Sequence, residues 1–375
     1  MPVTSGPGRI GRLDRKRHID KVVSAVNSPS AAARSALAAS WHRSMERHGL
    51  DPAAPAQGQR ADHSVADESR ARLDRFMTIA APKLDQLFGL VGLSGCGVLL
   101  TDESGIILDQ RCSDGDRSAF EDWGLTIGAD WSEAAEGTNG IGTCLTEKRR
   151  VTIHRDDHFL ARNIGMSCMD APIFGPDGGL LAALDVSSAR VDQTEAYNRL
   201  IAAMVDQTAH AIEADFFRAS YPKARIVVAD SAEGGAATLL AVDGDDIVVG
   251  ATREARKVLG LSPSGAFTPR PASDIFGRED GPRGFEKAER AAVVRALTRA
   301  GGNVSEAARA LGIGRATLYR RMKRLGLDHL TRPVSVLRHP RAPTACPPPD
   351  ESLFARHPCR HDFGRRTRGN QEEPT

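Results

Sequence analysis

Residues 302–327 read GNVSEAARALGIGRATLYRRMKRLGL, and this stretch restricts the fold more than any other part of the chain. Asn303 is a good helix N-cap, and Glu306 stands three residues on, as in a capping box. Ala307, Ala308 and Leu311 give that helix a face of small residues that a second helix can cross closely. Gly312-Ile313-Gly314 then forms a tight turn. In the next helix Leu318, Met322 and Leu325 fall at i, i+4 and i+7, so an apolar stripe runs down one side. Arg315, Arg320, Arg321, Lys323 and Arg324 fill the remainder, with no acidic residue among them. A longer helix precedes the pair, FEKAERAAVVRALTRAGG, with Val293, Val294 and Leu297 apolar and Gly301-Gly302 as its stop. Three helices with a tight turn between the last two make an all-α helix-turn-helix over 285–330.

The charge has to be read locally. The 375 residues carry a net charge of only +2, so the chain is no polycation. From Arg283 to Arg324, however, eleven basic residues stand against Glu286, Glu289 and Glu306. That asymmetry is the footprint of a module that binds double-stranded DNA. The last helix is expected in the major groove. Arg315, Thr317, Arg320 and Arg321 lie off the apolar stripe and are expected at base edges, with Tyr319 in the same DNA-binding set. Lys323 and Arg324, near the helix end, are expected on phosphates.

Toward the N-terminus the periodicity changes. Residues 1–67 form an N-terminal helical segment, in which Leu37, Trp41 and Met45 stack along a helix over 30–48. A second helix spans 68–91. CGVLLTDESGIILDQRC and CMDAPIFGPDGGLLAALDVSS are hairpins, turning at Asp102–Gly105 and Gly175–Gly178. A long amphipathic helix over 192–218 follows. The expectation is an α+β domain over 68–220, an antiparallel sheet with flanking helices. LLAVDGDDIVVGATREARKVLGL predicts strand, turn, strand and helix in a small bridge over 221–261. A Pro/Gly-rich linker fills 262–284. Residues 331–375, rich in Pro and Arg and without period, are expected to be a disordered tail.

Within the α+β domain, EGTNGIGTCL places Thr138 or Asn139 at the cap of a short helix. A helix N-terminus beside a cavity receives an anionic or carbonyl group. Trp131 and Phe159 would wall such a pocket, and His158, Cys168 and Asp170 would supply polar points. The ligand-binding set is therefore Trp131, Thr138, Asn139, His158, Cys168 and Asp170. Each has a plainer structural use, as core, cap or satisfied histidine. Cys96, Cys112, Cys144 and Cys168 with His154 and His158 are donor types for a metal but lack paired short spacing, so neither a metal nor another cofactor is expected.

Two resemblances sit on these residues. GNVSEAARALGIGRATLYRRMKRLGL resembles the Fis-type helix-turn-helix at the C-terminus of bacterial enhancer-binding activators, departing from it at Gly314, where that family commonly has Ser. WSEAAEGTNGIGTCLTEKRRVTIHRDDHF, MSCMDAPIFGPDGGLLAALDVSS and SWHRSMERHGLDP resemble the GAF sensor of the acetoin catabolism regulators. The segment over 225–260 is similar to the PAS-like bridge of shortened relatives. The resemblance implies a regulator whose sensor takes a small molecule, such as a carbonyl metabolite. A helical unit of about forty residues has little core of its own, and two recognition helices would meet successive major-groove faces, so a homodimer on DNA is expected, with RNA polymerase as a further partner. Activators of this kind commonly carry an ATPase domain, yet no G-x-x-x-x-G-K-[ST] loop occurs in these residues, so action without nucleotide hydrolysis is expected.

Other functions remain as alternatives. Some free-standing GAF domains reduce methionine sulfoxide through cysteines, and an architectural DNA protein with an inert sensor would share the same tail. The absence of a signal-like apolar segment, of a membrane-length run and of a CxxC pair points to the cytoplasm and away from membranes.

Overall fold

The computed structural model describes residues 11–28, 30–55, 63–188, 190, 193–229, 236–276 and 284–327. The expected disordered tail over 331–375 lies outside them. The chain divides into two compact units, Met1–Arg278 and Glu279–Thr375.

The first unit is built on a five-stranded antiparallel sheet. Its strands are β1 (Cys96–Thr101), β2 (Ile107–Arg111), β3 (Val151–His154), β4 (Ser167–Phe174) and β5 (Leu180–Ser188), in the order β2-β1-β5-β4-β3. Both expected hairpin strand pairs are present, although β1 and β4 each have β5 as a neighbour. Side chains alternate between the two faces of a strand. On one face Val98, Leu100, Met169, Ala171, Leu184 and Val186 pack against two long helices, α5 (Asp74–Val91) and α9 (Glu195–Ser220). These helices contribute Phe76, Leu84 and Leu87, and Ile201, Val205 and Ile212. The other face carries Leu99, Cys168 and Ala183. It lies under α6 (Arg117–Trp123), α7 (Glu133–Glu136) and α8 (Gly140–Glu147), with Phe120, Trp131, Ile141 and Cys144 in the layer between.

The helix expected over 68–91 is two helices. α4 (His63–Arg72) precedes α5, with a break at Leu73, so α4 runs across the boundary drawn at residue 67. The N-terminal segment is likewise several helices, α1 (Arg12–Val26), α2 (Ala31–Arg34) and α3 (Ala36–His42), the last continuing into a wider π turn over Arg43–Arg47. Val22, Val26 and Trp41 pack against Phe159 and Leu160 of the α+β domain, so the segment is docked on that domain.

The bridge contains a four-stranded antiparallel sheet of β6 (Arg225–Val228), β7 (Leu239–Val242), β8 (Ile247–Ala251) and β9 (Arg270–Pro271), with α10 (Arg253–Val258) and α11 (Ala272–Phe276). This corrects the linker reading for the described part of 262–284. β9 pairs with β8, Ala272 is buried in the small core, and Phe267 packs beside it. The buried Arg256 explains why a Pro/Gly-rich segment is held. Its guanidinium lies 5.4 Å from the Phe267 ring centre and donates to the carbonyls of Ala251 and Ser262. The remainder, 277–283, lies outside the described residues.

The second unit holds three helices, α12 (Phe285–Arg299), α13 (Val304–Ala310) and α14 (Arg315–Arg324). Val293, Leu297, Ala307, Ala308, Leu318 and Met322 form its core, as the sequence spacing required. Gly312 turns the chain at φ +65°, a conformation open to glycine without strain.

Candidate nucleic-acid interface and sensor site

The Asn303 carboxamide accepts hydrogen bonds from the backbone N–H groups of Ser305 and Glu306, at 3.0 and 3.3 Å, and so starts α13 as the sequence indicated. Gly314 caps α14 with no side-chain bond. Leu318 and Met322 are fully buried, which fixes the rotation of α14 and leaves Arg315, Tyr319, Arg320, Arg321, Lys323 and Arg324 exposed. Thr317 is half-buried.

These exposed groups are not equivalent. Arg315 lies over the Tyr319 ring, 5.6 Å from its centre, which orders both side chains at the start of the helix. Arg321 and Arg324 both pair with Glu289 of α12, Arg321 at 3.2 Å. That shared carboxylate was invisible in the sequence pattern, because it stands more than thirty residues away on another helix. Arg320 and Lys323 have no ion-pair partner among the described residues. The face therefore divides into an N-terminal part with Arg315, Thr317 and Tyr319, a free pair Arg320 and Lys323, and a tethered pair Arg321 and Arg324.

In the first unit the sequence-selected sensor residues fall into three settings. Trp131 is core, and its indole N–H donates to the Gly124 carbonyl at 3.0 Å. Asn139 caps α8, accepting from Gly142 N–H at 2.9 Å and donating to the Gly137 carbonyl. Thr138, next to it, turns toward the N-terminal helices, where its hydroxyl meets Ser40 at 2.7 Å and Ser44 at 3.3 Å.

His158, Cys168 and Asp170 come together under the start of α8. A methyl group placed on Gly140 would sit 2.0 Å from an Asp170 carboxylate oxygen and 2.5 Å from Cβ of Cys168, so only glycine fits this close approach. The Arg155 carbonyl can only accept, so the 2.9 Å contact from His158 Nδ1 places the proton on that nitrogen. His158 Nε2 then accepts from the Cys168 thiol at 3.4 Å, and the thiol sulfur accepts from Ser187 at 3.2 Å. Complete burial pulls the His158 pKa down to about 4, so the ring is neutral. Burial pushes the Cys96 thiol up to about 11 and the Cys144 and Cys168 thiols well above their ordinary value. A reactive cysteine needs the thiolate, and these sulfurs stay protonated. Among the described residues no group of three His, Cys, Asp or Glu side chains is arranged to hold a metal.

Sequence reasoning missed several residues of this region. Asp185 lies opposite Asp170, and the available signal was an acid inside the apolar run LLAALDVSS. Arg43 donates to Glu133 at 2.8 Å and to Glu147 at 3.2 Å, and thereby ties the π turn to α7 and α8.

Comparison with known proteins agrees with both halves of this description. Residues 77–212 match the GAF domain family, and residues 284–325 match the family described as bacterial regulatory protein, Fis family. The chain is 32% identical over 278 residues to the acetoin catabolism regulatory protein of Cupriavidus necator, a match covering 71% of this chain and 41% of that protein. It is 30% identical over 160 residues to the acetoin dehydrogenase operon transcriptional activator of Bacillus subtilis, covering 42% of this chain and 26% of that protein. It is 32% identical over 101 residues to the propane 2-monooxygenase operon transcriptional activator of Mycolicibacterium smegmatis, covering 27% and 17%. The chain thus spans about two fifths or less of the length of these curated relatives. It carries a GAF domain and a Fis-type helix-turn-helix, with homology to acetoin catabolism regulators. No G-x-x-x-x-G-K-[ST] sequence stands between the two matched segments.

Proposed function

We propose that this protein is a sequence-specific DNA-binding transcriptional regulator whose GAF domain senses a small molecule and adjusts operator affinity without hydrolysing ATP. The observation that carries the reading is α14. It presents an acid-free, exposed basic face whose rotation is fixed by the buried Leu318 and Met322, behind a turn that suits major-groove docking. Arg315, Thr317, Tyr319 and Arg320 are the base readers in this proposal, and Lys323 is a phosphate contact. Arg321 and Arg324 join them when DNA phosphates compete for the guanidiniums now on Glu289.

The effector is a small uncharged oxygen compound of the kind the relatives' names suggest, acetoin or another carbonyl metabolite. The sensor residues are those around Thr138 and Asn139 at the start of α8, with His158, Cys168 and Asp170 packed beneath them. A route out of the sensor exists within the first unit. Arg253 of α10 lies 4.3 Å from the Phe174 ring centre and donates to the Gly178 carbonyl, so the β4–β5 turn and the bridge are joined. The regulator works as a homodimer, because two recognition helices about 34 Å apart meet successive major-groove faces, and it acts on RNA polymerase by occupying DNA in the cytoplasm.

The test is selection of bound fragments from a random DNA pool by the purified full chain. A shared sequence among the recovered fragments, lost with Arg320→Ala, supports the reading. Recovery without any shared sequence would reduce the protein to a nonspecific DNA binder.

A further inference from the structure

The seam between the N-terminal helices and the α+β domain is not filled. α3 lies along the start of α8 and β3, and between them is a cleft of about 190 Å³. Leu37 and Ser40 form one wall; Thr138, Thr143, Val151 and Ile153 form the other. A cavity of ~150 Å³ admits a benzene-sized molecule, so this one has room for about six or seven non-hydrogen atoms.

The chemistry of the walls limits the occupant. Thr143 is 3% exposed, and its buried hydroxyl has no hydrogen-bond partner among the described residues. Buried hydroxyls are almost always partnered, so an unpartnered one on a cleft wall marks a place where a ligand oxygen belongs. Leu37, Val151 and Ile153 supply apolar surface. The charge of Glu147, which also borders the cleft, is taken up by Arg43 and Arg149. Arg149, also on the cleft wall, is held by the same carboxylate, so an anionic ligand would find no free counter-charge there.

Resting on the sensor reading above, we propose that this seam is the effector site. It takes a small uncharged molecule with one or two hydroxyl or carbonyl oxygens, and α3 is its lid. The ligand oxygen bonds Thr143, and its carbon skeleton fills the space against Leu37, Val151 and Ile153. The lid is anchored around the site. Trp41 N–H donates to the Asp157 carbonyl at 2.9 Å, Lys21 pairs with Asp156 at 2.6 Å, and the His18 ring meets the Phe159 carbonyl at 3.1 Å. A ligand bridging both walls therefore tightens the whole N-terminal segment onto the sensor.

The experiment is calorimetric titration of the full chain with hydroxyacetone and propane-1,2-diol, with propionate as the ionic control. Hydrogen exchange is followed over residues 31–47. The wild type should bind the two uncharged probes at millimolar concentration or better, and propionate more weakly. Thr143→Val deletes only an unsatisfied hydroxyl, so the free protein should melt at the same temperature or higher, while probe affinity falls at least about tenfold. Thr143→Ser keeps the hydroxyl and should keep the affinity. Bound probe should slow exchange in α3. Equal binding by Thr143→Val, no binding by the wild type, or preference for propionate would overturn the proposal. If Thr143→Val binds normally and DNA affinity still responds to the probe, the sensor reading stands and only the seam fails. If the probes bind the seam but never change DNA affinity, the seam is a ligand pocket, but the sensor reading fails and the effector role with it.

Discussion

Asp170 and Asp185 stand directly opposite each other on β4 and β5, both buried, and neither carboxyl group finds a hydrogen-bond partner by geometry among the described residues. Burial, reinforced for Asp170 by the facing carboxylate, raises both pKa values above the ordinary carboxylate range. The folded chain therefore holds protons that the unfolded chain releases. Stability must fall as pH rises from the unfolded carboxylate range, near 4, through the raised folded values. Asp185→Asn removes this cost. It should stabilise the protein at neutral pH by about 1–3 kcal/mol and flatten the slope. Thermal melts across that pH span check both; a neutral-pH loss of stability in the Asn variant would contradict the arrangement.

His158 works in the opposite direction. Its folded value of about 4 lies below the unfolded 6.5. The neutral ring costs nothing above 6.5, but as pH falls toward 4 the unfolded chain gains a proton that the folded chain refuses, and stability drops. Ring resonances of His158 followed by NMR should titrate near pH 4. Titration near 6.5 would place the ring in contact with solvent.

Gly314 begins α14 with extended backbone, φ −69° and ψ 148°, and a Cβ there would meet nothing closer than the Thr317 hydroxyl at 3.8 Å. Serine at this position can cap the helix and restricts the unfolded chain. Gly314→Ser should therefore stabilise the second unit by a few tenths to about 1 kcal/mol. Chemical denaturation monitored on the helix-turn-helix checks this, and a loss would mean that DNA-free α14 needs glycine for another reason.

The three C-terminal helices were legible because caps, turn and apolar stripe all lie within one short stretch, where each helix fixes its own facing. The two hairpins were legible for the same reason. α1 was not, because its buried stripe is His18, Val22 and Val26, and a histidine plus two valines among basic residues does not register as an amphipathic face. The pairing of β1 with β5 joins residues more than eighty positions apart, and the placing of Asp185 opposite Asp170 depends on the exact register of the β4–β5 hairpin, which its turn residues alone do not fix. The sequence named Thr138 as a ligand contact but could not show that its hydroxyl faces Ser40 and Ser44. Those partners arrive from a helix about a hundred residues earlier.

Glu289 holds Arg321 and Arg324 by exposed ion pairs, which add little stability but keep two cations from DNA. Glu289→Gln should leave the melting temperature nearly unchanged. It should also tighten binding to all sequences and steepen the salt dependence by up to about two units. Lys323→Ala should weaken all sequences alike and reduce the slope by about one, while Arg320→Ala should cost about 1–3 kcal/mol only on the preferred site. Anisotropy titrations over a range of salt separate the three; equal effects of all three on specific and random DNA would rule out direct readout.

The most direct test of ligand-controlled DNA binding is quantitative nuclease footprinting of the purified full chain on its selected site, with and without acetoin and in the absence of ATP. The expected result is a protected segment spanning two half-sites one helical turn apart. Its midpoint concentration should shift about 5- to 150-fold with ligand, the range for a coupling of 1–3 kcal/mol. ATP should change nothing. A footprint indifferent to every small uncharged ligand tried, or one that forms only when ATP is added, would contradict it.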